Sequence, residues 1–278
     1  MQILKNHVLE REQNKPILID AFYHKDKTKQ PIVIFCHGYK GFKDWGAWDL
    51  MAKQMAKAGF CFVKFNFSHN GGTIENPIDF PDLEAFGQNN YTKELDDLND
   101  VISWSQHYFK DDLFVNIHNI CLIGHSRGGG IATIKAEEDS RIKNCITLAG
   151  VSDFKVRFNE GTNEFKAWKQ TGVKFIENGR TKQQMPHYFQ FYEDFILNEN
   201  RLTIKRAVCN LKIPQLIIHG NDDASVSVEE AKLLHRWNSN SILKIIEGAD
   251  HVFNTKHPWD VKKLSPELEI VVKLITAF

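Results

Sequence analysis

The amino-acid sequence predicts an α/β fold in which a mostly parallel, doubly wound sheet follows an antiparallel hairpin and is interrupted by one insertion. Runs of buried-strand character alternate along the chain with segments of helical spacing. A length of 278 residues suits one large domain with an insertion, or two modest domains. Hydrophobic residues make up 42% of the chain and charged residues 25%, which argues against a disordered chain and indicates a sizeable core.

The predicted elements follow one another in a regular order. The segments QILKNHVL and KPILIDAFYH are separated by the polar stretch EREQN and predict the antiparallel hairpin. Six later apolar runs lack polar alternation, as expected of strands covered on both faces. They are PIVIFCHG, FCFVKFNFSH, NICLIGHS, CITLAGV, PQLIIHG and ILKIIEG. Helical spacing lies between them at 48–57, 91–107 and 228–237, and LSPELEIVVKLITAF predicts a final helix with Ser265 as its N-cap.

The interval 153–213 contains no run of the buried-strand type, and we assign it as a lid (cap) insertion between core segments 1–152 and 214–278. Within it, Asn178-Gly179 lies between two stretches that can extend, which predicts a hairpin with a type I′ turn. The alternative is a surface excursion without a function. The many aromatic residues of the insertion either form its own core or supply apolar walls to a pocket.

Charge and cysteine content exclude several classes of protein. Lys+Arg and Asp+Glu number 35 each, and no basic stripe is present, so we expect no nucleic-acid partner. No apolar run reaches the roughly 20 residues of a membrane span, and the start of the chain lacks the apolar stretch of a signal peptide. We therefore expect a cytoplasmic protein without a membrane partner. The five cysteines lack paired spacing, which favours reduced, mostly buried thiols over a zinc site or disulfides.

The most informative motif is Gly124-His125-Ser126-Arg127-Gly128, which directly follows an apolar strand and precedes a segment that can be helical. A strand that turns sharply into a helix holds the serine in a strained conformation, and only glycine fits two positions away on either side. The Ser126 hydroxyl is then exposed at a helix N-terminus. There the backbone N–H of Arg127 can donate to a developing oxyanion.

A serine hydroxyl is a weak nucleophile until a base removes its proton, and the base needs an acid to orient it. In an open α/β sheet both should follow later strands at their carboxyl ends. The strand ILKIIEG runs into His251, the predicted base. For the acid, Asp222 and Asp223 follow the strand PQLIIHG, and Asp153 follows CITLAGV, so three candidates remain on placement alone.

Four motifs together make the chain resemble the α/β-hydrolases over nearly its whole length. They are His37-Gly38-Tyr39-Lys40-Gly41, GHSRGG, the segment from His219 to Val226, and Gly248-Ala249-Asp250-His251. The chain is most similar to the group containing dienelactone hydrolases, prolyl-oligopeptidase-like peptidases and feruloyl or cinnamoyl esterases. In that group the third motif often reads H-G-x-x-D-x-x-V-P, which implies Asp223 as the acid, although Ser227 stands where proline is usual.

The resemblance also implies the oxyanion hole. Its second donor is the backbone N–H of Tyr39, which acts with that of Arg127. His37 is expected to be a structural loop residue without a role in proton transfer. The chemistry needs no metal and no organic cofactor, and the sequence lacks an H-E-x-x-H motif, a P-loop and a strand-linked G-x-G-x-x-G.

These residues predict a serine hydrolase with the triad Ser126, Asp223 and His251 that forms an acyl-enzyme. The resemblance to cinnamoyl esterases favours small-molecule carboxylic esters with short or aromatic acyl groups as substrates. A serine peptidase or acyl-peptide hydrolase is the alternative reaction, and a binding protein without catalysis is the alternative from another class. The sequence does not decide the oligomeric state, and a homodimer stays open.

Overall fold

An eight-stranded sheet forms the centre of the protein, whose computed structural model describes residues 1–278. The chain has ten strands in all. They are β1 Gln2–Leu9, β2 Ile17–Tyr23, β3 Gln30–Cys36, β4 Cys61–Phe65, β5 Val115–His125, β6 Ile142–Leu148, β7 Val173–Glu177, β8 Gln184–Tyr188, β9 Gln215–Gly220 and β10 Ile242–Ile246. The ten α-helices are α1 Trp48–Ala58, α2 Leu83–Gly87, α3 Tyr91–Tyr108, α4 Arg127–Glu138, α5 Asn163–Thr171, α6 Gln190–Leu197, α7 Glu199–Leu202, α8 Ile204–Asn210, α9 Val228–Trp237 and α10 Pro266–Ala277.

The strand order in the large sheet is β1-β2-β4-β3-β5-β6-β9-β10. The six strands from β4 to β10 in this order are parallel, whereas β2 pairs antiparallel with both β1 and β4. The central strands β3, β4 and β9 are buried along nearly their whole length, which explains why their sequences show no polar alternation. The predicted mostly parallel sheet with an N-terminal antiparallel hairpin is confirmed.

Helices cover both faces of the sheet. On one face α1 and α10 pack with buried residues such as Trp48, Met51 and Leu268, and on the other α3, α4 and α9 pack with residues such as Leu95 and Ile131. Complete burial of one such aliphatic side chain stabilises the fold by roughly 1.5–3 kcal/mol. At the start of α10 the Ser265 hydroxyl accepts a hydrogen bond from the backbone N–H of Leu268, which confirms the predicted N-cap.

The insertion, residues 153–213, contains a 3₁₀ helix at Lys155–Phe158, helices α5 to α8 and a separate two-stranded sheet formed by β7 and β8. The hairpin between these two strands was predicted, but the type I′ turn was wrong. The connection spans residues 178–183, and its residue with positive φ is Lys182. The Asn178 side chain accepts hydrogen bonds from the backbone N–H groups of Arg180 and Thr181, so it stabilises a wider loop instead of a two-residue turn.

Two further sequence expectations concern burial and membranes. Cys36, Cys61, Cys121 and Cys145 are buried, and Cys209 is exposed. No helix is both long enough and apolar enough to span a bilayer.

Candidate active site

Ser126 forms the turn between β5, which ends at His125, and α4, which begins at Arg127. Its backbone has φ of 55° and ψ of −121°, a conformation that costs a residue with a side chain on the order of 1–3 kcal/mol. The backbone N–H of Ser126 donates to the carbonyl of Leu148 on the neighbouring strand β6, at 2.9 Å. The strain is therefore held by the surrounding sheet, as the sequence motif predicts.

The glycines around Ser126 are required by close backbone contacts. A Cβ added at Gly124 would lie 2.1 Å from the carbonyl oxygen of Gly128, and one added at Gly128 would lie 2.4 Å from that of Cys36. A Cβ at Gly38 would lie 2.9 Å from the Cβ of Ser126. The loop after β3 therefore lies directly against the serine turn.

Asp223 and His251 form a hydrogen-bonded pair. Nδ1 of His251 lies 2.7 Å from Oδ2 of Asp223, and Oδ1 of the same carboxylate accepts the backbone N–H groups of Ser225 and Val226, each at 2.8 Å. Burial alone would raise the pKa of Asp223, but the hydrogen bonds from His219, His251 and Val226 hold it well below its usual range. The carboxylate therefore stays ionised and fixes the tautomer of His251.

The other two acid candidates make no hydrogen bond or ion pair with His251. Asp222 is exposed and has no hydrogen bond through its side chain. Asp153 accepts the backbone N–H groups of Lys155 and Val156, which begin the 3₁₀ helix of the insertion. Of the three, the structure brings only Asp223 to the predicted base.

His219 also contacts Asp223, a contact that sequence reasoning missed. It is completely buried, and its Nε2 lies 3.1 Å from Oδ2 of Asp223 and 2.8 Å from the carbonyl of Val226. Both neighbours accept hydrogen bonds, so Nε2 carries the proton, and Nδ1 has no partner. The signal in the sequence was an apolar strand that ends in histidine four residues before the acid.

Two further buried histidines support the site without sharing its acid. Nε2 of His125 donates to the backbone carbonyl of His251 at 2.8 Å, and the two rings lie 4.8 Å apart. Burial, followed by the neighbouring His251, lowers the pKa of His125 to about 3. His37 has both ring nitrogens in hydrogen bonds, to the Gly38 carbonyl and from the Phe67 N–H, as a structural loop residue would.

Tyr39 and Arg127 present backbone N–H groups beside Ser126. Tyr39 lies in the loop after β3, and its N–H makes no hydrogen bond within the protein. Arg127 is the first residue of α4, so its N–H has no partner inside the helix. Both residues line one cavity together with Ser126 and His251, although no hydrogen bond joins the two side chains of Ser126 and His251 in this structure.

The cavity has a volume of about 390 Å³, and the insertion supplies about half of its lining residues. Phe158, Trp168 and Phe191 line the cavity and also belong to the larger apolar core of the protein. These aromatic residues therefore supply walls to the cavity, and they pack into the common core of the protein, not into a separate core of the insertion. The walls are mostly apolar and aromatic, which suits an apolar ligand fixed by a few polar groups.

A cluster of carboxylates elsewhere has the spacing of a metal site. The oxygens of Asp20, Asp44 and Asp49 lie within 4.8 Å of one another. Three lysine ammonium groups contact these carboxylates, and they belong to Lys5, Lys43 and Lys64. Because the lysines neutralise the three carboxylates, the cluster is an ion-pair network that joins β2 and β4 to the start of α1.

Comparison with known proteins identifies the class. A family model described as the alpha/beta hydrolase fold matches residues 31–160. That match and the strand order, helices and serine turn described above show that the chain has the α/β-hydrolase fold, which confirms the resemblance seen in the sequence at the level of the fold. No curated protein matches the chain.

Solved structures share this fold over almost all of the chain. Est1E from Butyrivibrio proteoclasticus, with ferulic acid bound, has a TM-score of 0.69 at 19% identity and covers 95% of this chain and 94% of its own. The dienelactone hydrolase from Anabaena variabilis has a TM-score of 0.63 at 16% identity, covering 99% and 95%. The Pyrococcus horikoshii acylaminoacyl peptidase has a TM-score of 0.65 at 14% identity, covering all of this chain and 40% of its own. At these identities the likeness shows the fold.

Proposed function

We propose that the protein is a serine hydrolase that cleaves small-molecule carboxylic esters, with Ser126 as nucleophile, His251 as general base and Asp223 as the acid that orients it. The observation that carries the proposal is the hydrogen-bonded Asp223–His251 pair beside the cavity that the strained Ser126 also lines. Each residue lies at the carboxyl end of a different strand, where α/β folds gather their ligands.

In the proposed reaction, Ser126 Oγ attacks the ester carbonyl while Nε2 of His251 accepts its proton. The Nδ1–H of His251 stays hydrogen-bonded to Asp223, which stabilises the positive imidazolium. The backbone N–H groups of Tyr39 and Arg127 donate to the tetrahedral oxyanion, and each donor of this kind is worth about 2.7–4 kcal/mol. His251 then protonates the leaving alcohol, and water releases the acyl group by the same steps in reverse.

Esters with aromatic or short acyl groups are the substrates that the cavity favours. Its walls carry Tyr91, Phe154, Phe158 and Phe191, whose rings offer flat apolar surfaces to a planar group. The fold of Est1E, which has ferulic acid bound, supports the same class.

Covalent labelling with a fluorophosphonate probe tests the nucleophile. We expect modification of the wild type at Ser126, no labelling of Ser126→Ala and a loss of kcat on the order of 10⁶ in that variant. Ser225→Ala is a matched control, since Ser225 lines the same cavity and contacts Asp223 only through its backbone N–H. A folded wild type that the probe does not label would favour a binding protein without catalysis.

A serine peptidase is the second candidate, favoured by the fold that the chain shares with the acylaminoacyl peptidase. Rates with p-nitrophenyl esters and with aminoacyl p-nitroanilides distinguish the two. We expect faster turnover of the esters, and a clear preference for the anilides would make peptide hydrolysis the function.

A further inference from the structure

The wall of the cavity carries three cationic side chains and no carboxylate. The cations are Arg127, Arg157 and Lys174, and the last two belong to the insertion. A wall of one charge sign, set among aromatic rings, raises the local concentration of ligands of the opposite sign. A cation can bind an anionic ligand strongly only if no carboxylate of the protein already neutralises it, so the partners of the three side chains decide which of them is available.

Both arginines are paired. The Arg127 guanidinium lies 3.3 Å from the buried carboxylate of Glu94 and packs on the ring of Tyr39. Arg157 donates to the Glu230 carboxylate at 2.7 Å and to the backbone carbonyl of Asp153 at 2.5 Å. The carboxylates of Glu94 and Glu230, which do not line the cavity, therefore largely neutralise these two positive charges.

Lys174 differs from both arginines. Its side chain is only 18% exposed, yet its ammonium group makes no hydrogen bond within the protein. The nearest carboxylate is that of Glu164, at 3.6 Å, and that side chain is 68% exposed to solvent. The ammonium lies 4.4 Å from the centre of the Trp168 ring. An exposed pair at this distance contributes little, so Lys174 retains three donors and most of its charge for a ligand in the cavity.

Positively charged side chains also surround His187. This residue of β8 also lines the cavity. Burial, followed by the charges of Arg127, Lys174 and Lys40, lowers the pKa of His187 to about 3. No Asp or Glu side chain lines the cavity, whereas Arg127 and Lys174 do, so positive groups outnumber negative groups along this wall.

We propose that the cavity recognises esters whose acyl group carries a second, ionised carboxylate, and that Lys174 is the residue that binds this carboxylate. The inference rests on the ester hydrolysis proposed above and specifies its substrate class. Aromatic walls and one ammonium group that makes no hydrogen bond within the protein suit a planar acyl group with an acidic substituent remote from the ester. Lys174 is then a specificity residue that does not contact the reacting atoms.

Two methyl esters of the same shape test the inference. Methyl 4-carboxycinnamate is anionic, and methyl 4-carbamoylcinnamate replaces its carboxylate with a neutral amide. We expect the wild type to have a kcat/KM about tenfold higher for the anionic ester, as one hydrogen bond to a charged group provides. The difference should appear in KM, because Lys174 binds ground state and transition state alike. It should also shrink as sodium chloride is added.

Lys174→Met removes the charge and keeps an unbranched apolar side chain against Trp168. We expect this variant to lose the preference for the anionic ester, so that the ratio of its kcat/KM values for the two esters falls to about one. Lys182→Met is the matched control, since Lys182 lies on the same hairpin, is exposed and does not line the cavity. It should keep the preference.

The remaining outcomes separate this inference from the proposed function. Equal rates for both esters in the wild type would refute the anion preference and leave ester hydrolysis standing. An equal loss for both esters in Lys174→Met, or the same loss of preference in Lys182→Met, would refute Lys174 as the binding residue. If the probe labels Ser126 but neither ester is hydrolysed, this substrate class is wrong. If Ser126 is also unlabelled, the proposed function fails with it.

Discussion

His219 offers a test of how the site is tuned, because it contacts the acid and not the substrate. The carboxylate of Asp223 accepts three hydrogen bonds at 2.7–2.8 Å, and Nε2 of His219, whose shorter hydrogen bond is to the Val226 carbonyl, lies 3.1 Å from it as a weaker fourth donor. Replacing His219 with methionine removes this donor and fills a similar volume. Without it the carboxylate is more basic and stabilises the protonated imidazole of His251 more strongly.

The size of the effect follows from the geometry. A hydrogen bond to a charged group is worth about 1.5–3 kcal/mol, but this one is long and its proton is shared with the Val226 carbonyl, so we take about 1 kcal/mol. Since 1.36 kcal/mol corresponds to about one pH unit, and His251 receives only the part of this energy that depends on its own charge, the acid limb of the kcat/KM profile should move up by at most roughly 0.7 pH unit. The sign is upward because the base stays protonated to a higher pH.

The assay is the pH dependence of kcat/KM for a neutral ester, measured from about pH 5 to pH 9. His219→Gln is the control, since its side-chain amide keeps a donor near Nε2, and it should retain the wild-type profile. His219→Met should remain folded, because the substitution also removes the unpartnered buried Nδ1. A limb that stays in place or moves down in His219→Met, with the fold intact, would show that His219 does not act through Asp223.

Three further predictions concern the acid, the serine turn and acid stability. Asp223→Asn should lower kcat by about 10⁴ while Asp222→Asn changes it little, and equal losses in steady-state assays would make the assigned acid wrong. Gly128→Ala should cost about 1–3 kcal/mol in urea unfolding, because the added Cβ would collide with the carbonyl oxygen of Cys36, whereas Gly179→Ala, with open space around it, should be nearly neutral. Burial would raise the pKa of Asp49, but Lys64 holds it well below its usual range. The stability from Asp49 is therefore present above the ordinary carboxyl pKa near 4 and lost as the pH falls through the lower folded-state value. The stability difference between the wild type and Asp49→Asn should accordingly be smaller at pH 2 than at pH 7.

The sheet was predictable because burial on both faces leaves a clear pattern in the sequence. Strands β3 and β9 are apolar along almost their whole length, and each matched an unalternated run. Strand β5 begins at Val115, four residues before the predicted run, since its polar first half pairs with the start of β3. The ends of strands depend on such pairing, which a single sequence does not contain.

The insertion was less predictable because its elements are short. Helices α7 and α8 have four and seven residues, below the length at which helical periodicity or intrinsic propensity is informative. What stabilises them is burial of residues such as Leu202 and Ile204 against the core. The loop at Asn178 is a second example. The dipeptide Asn178-Gly179 suggested a two-residue turn, but a hydrogen bond to the Asn178 side chain stabilises a wider loop.

At the site, the sequence indicated the residues that belong to recognisable motifs, and it missed the residues that contact those motifs from other parts of the chain. Ser126 and His251 follow from strand ends and spacing, whereas the contact of Glu94 with Arg127 joins α3 to α4 across 33 positions. Burial raises the pKa of Glu94 and the charge of Arg127 opposes that rise, so each group depends on the other. A contact of this kind is visible only in the folded chain.

The side chains of the two proposed oxyanion residues connect the catalytic loop to the insertion. The Tyr39 hydroxyl donates to Nε2 of His187 at 2.7 Å, and Nδ1–H of that ring donates to the carbonyl of Met185, which fixes its orientation. The Arg127 guanidinium lies 5.2 Å from the centre of the Phe191 ring. The insertion therefore contacts the same two residues whose backbone N–H groups would stabilise the oxyanion. Because His187 and Phe191 contact the side chains of Tyr39 and Arg127, substitutions at His187 or Phe191 should, under the proposed function, affect substrate binding and the chemical step together.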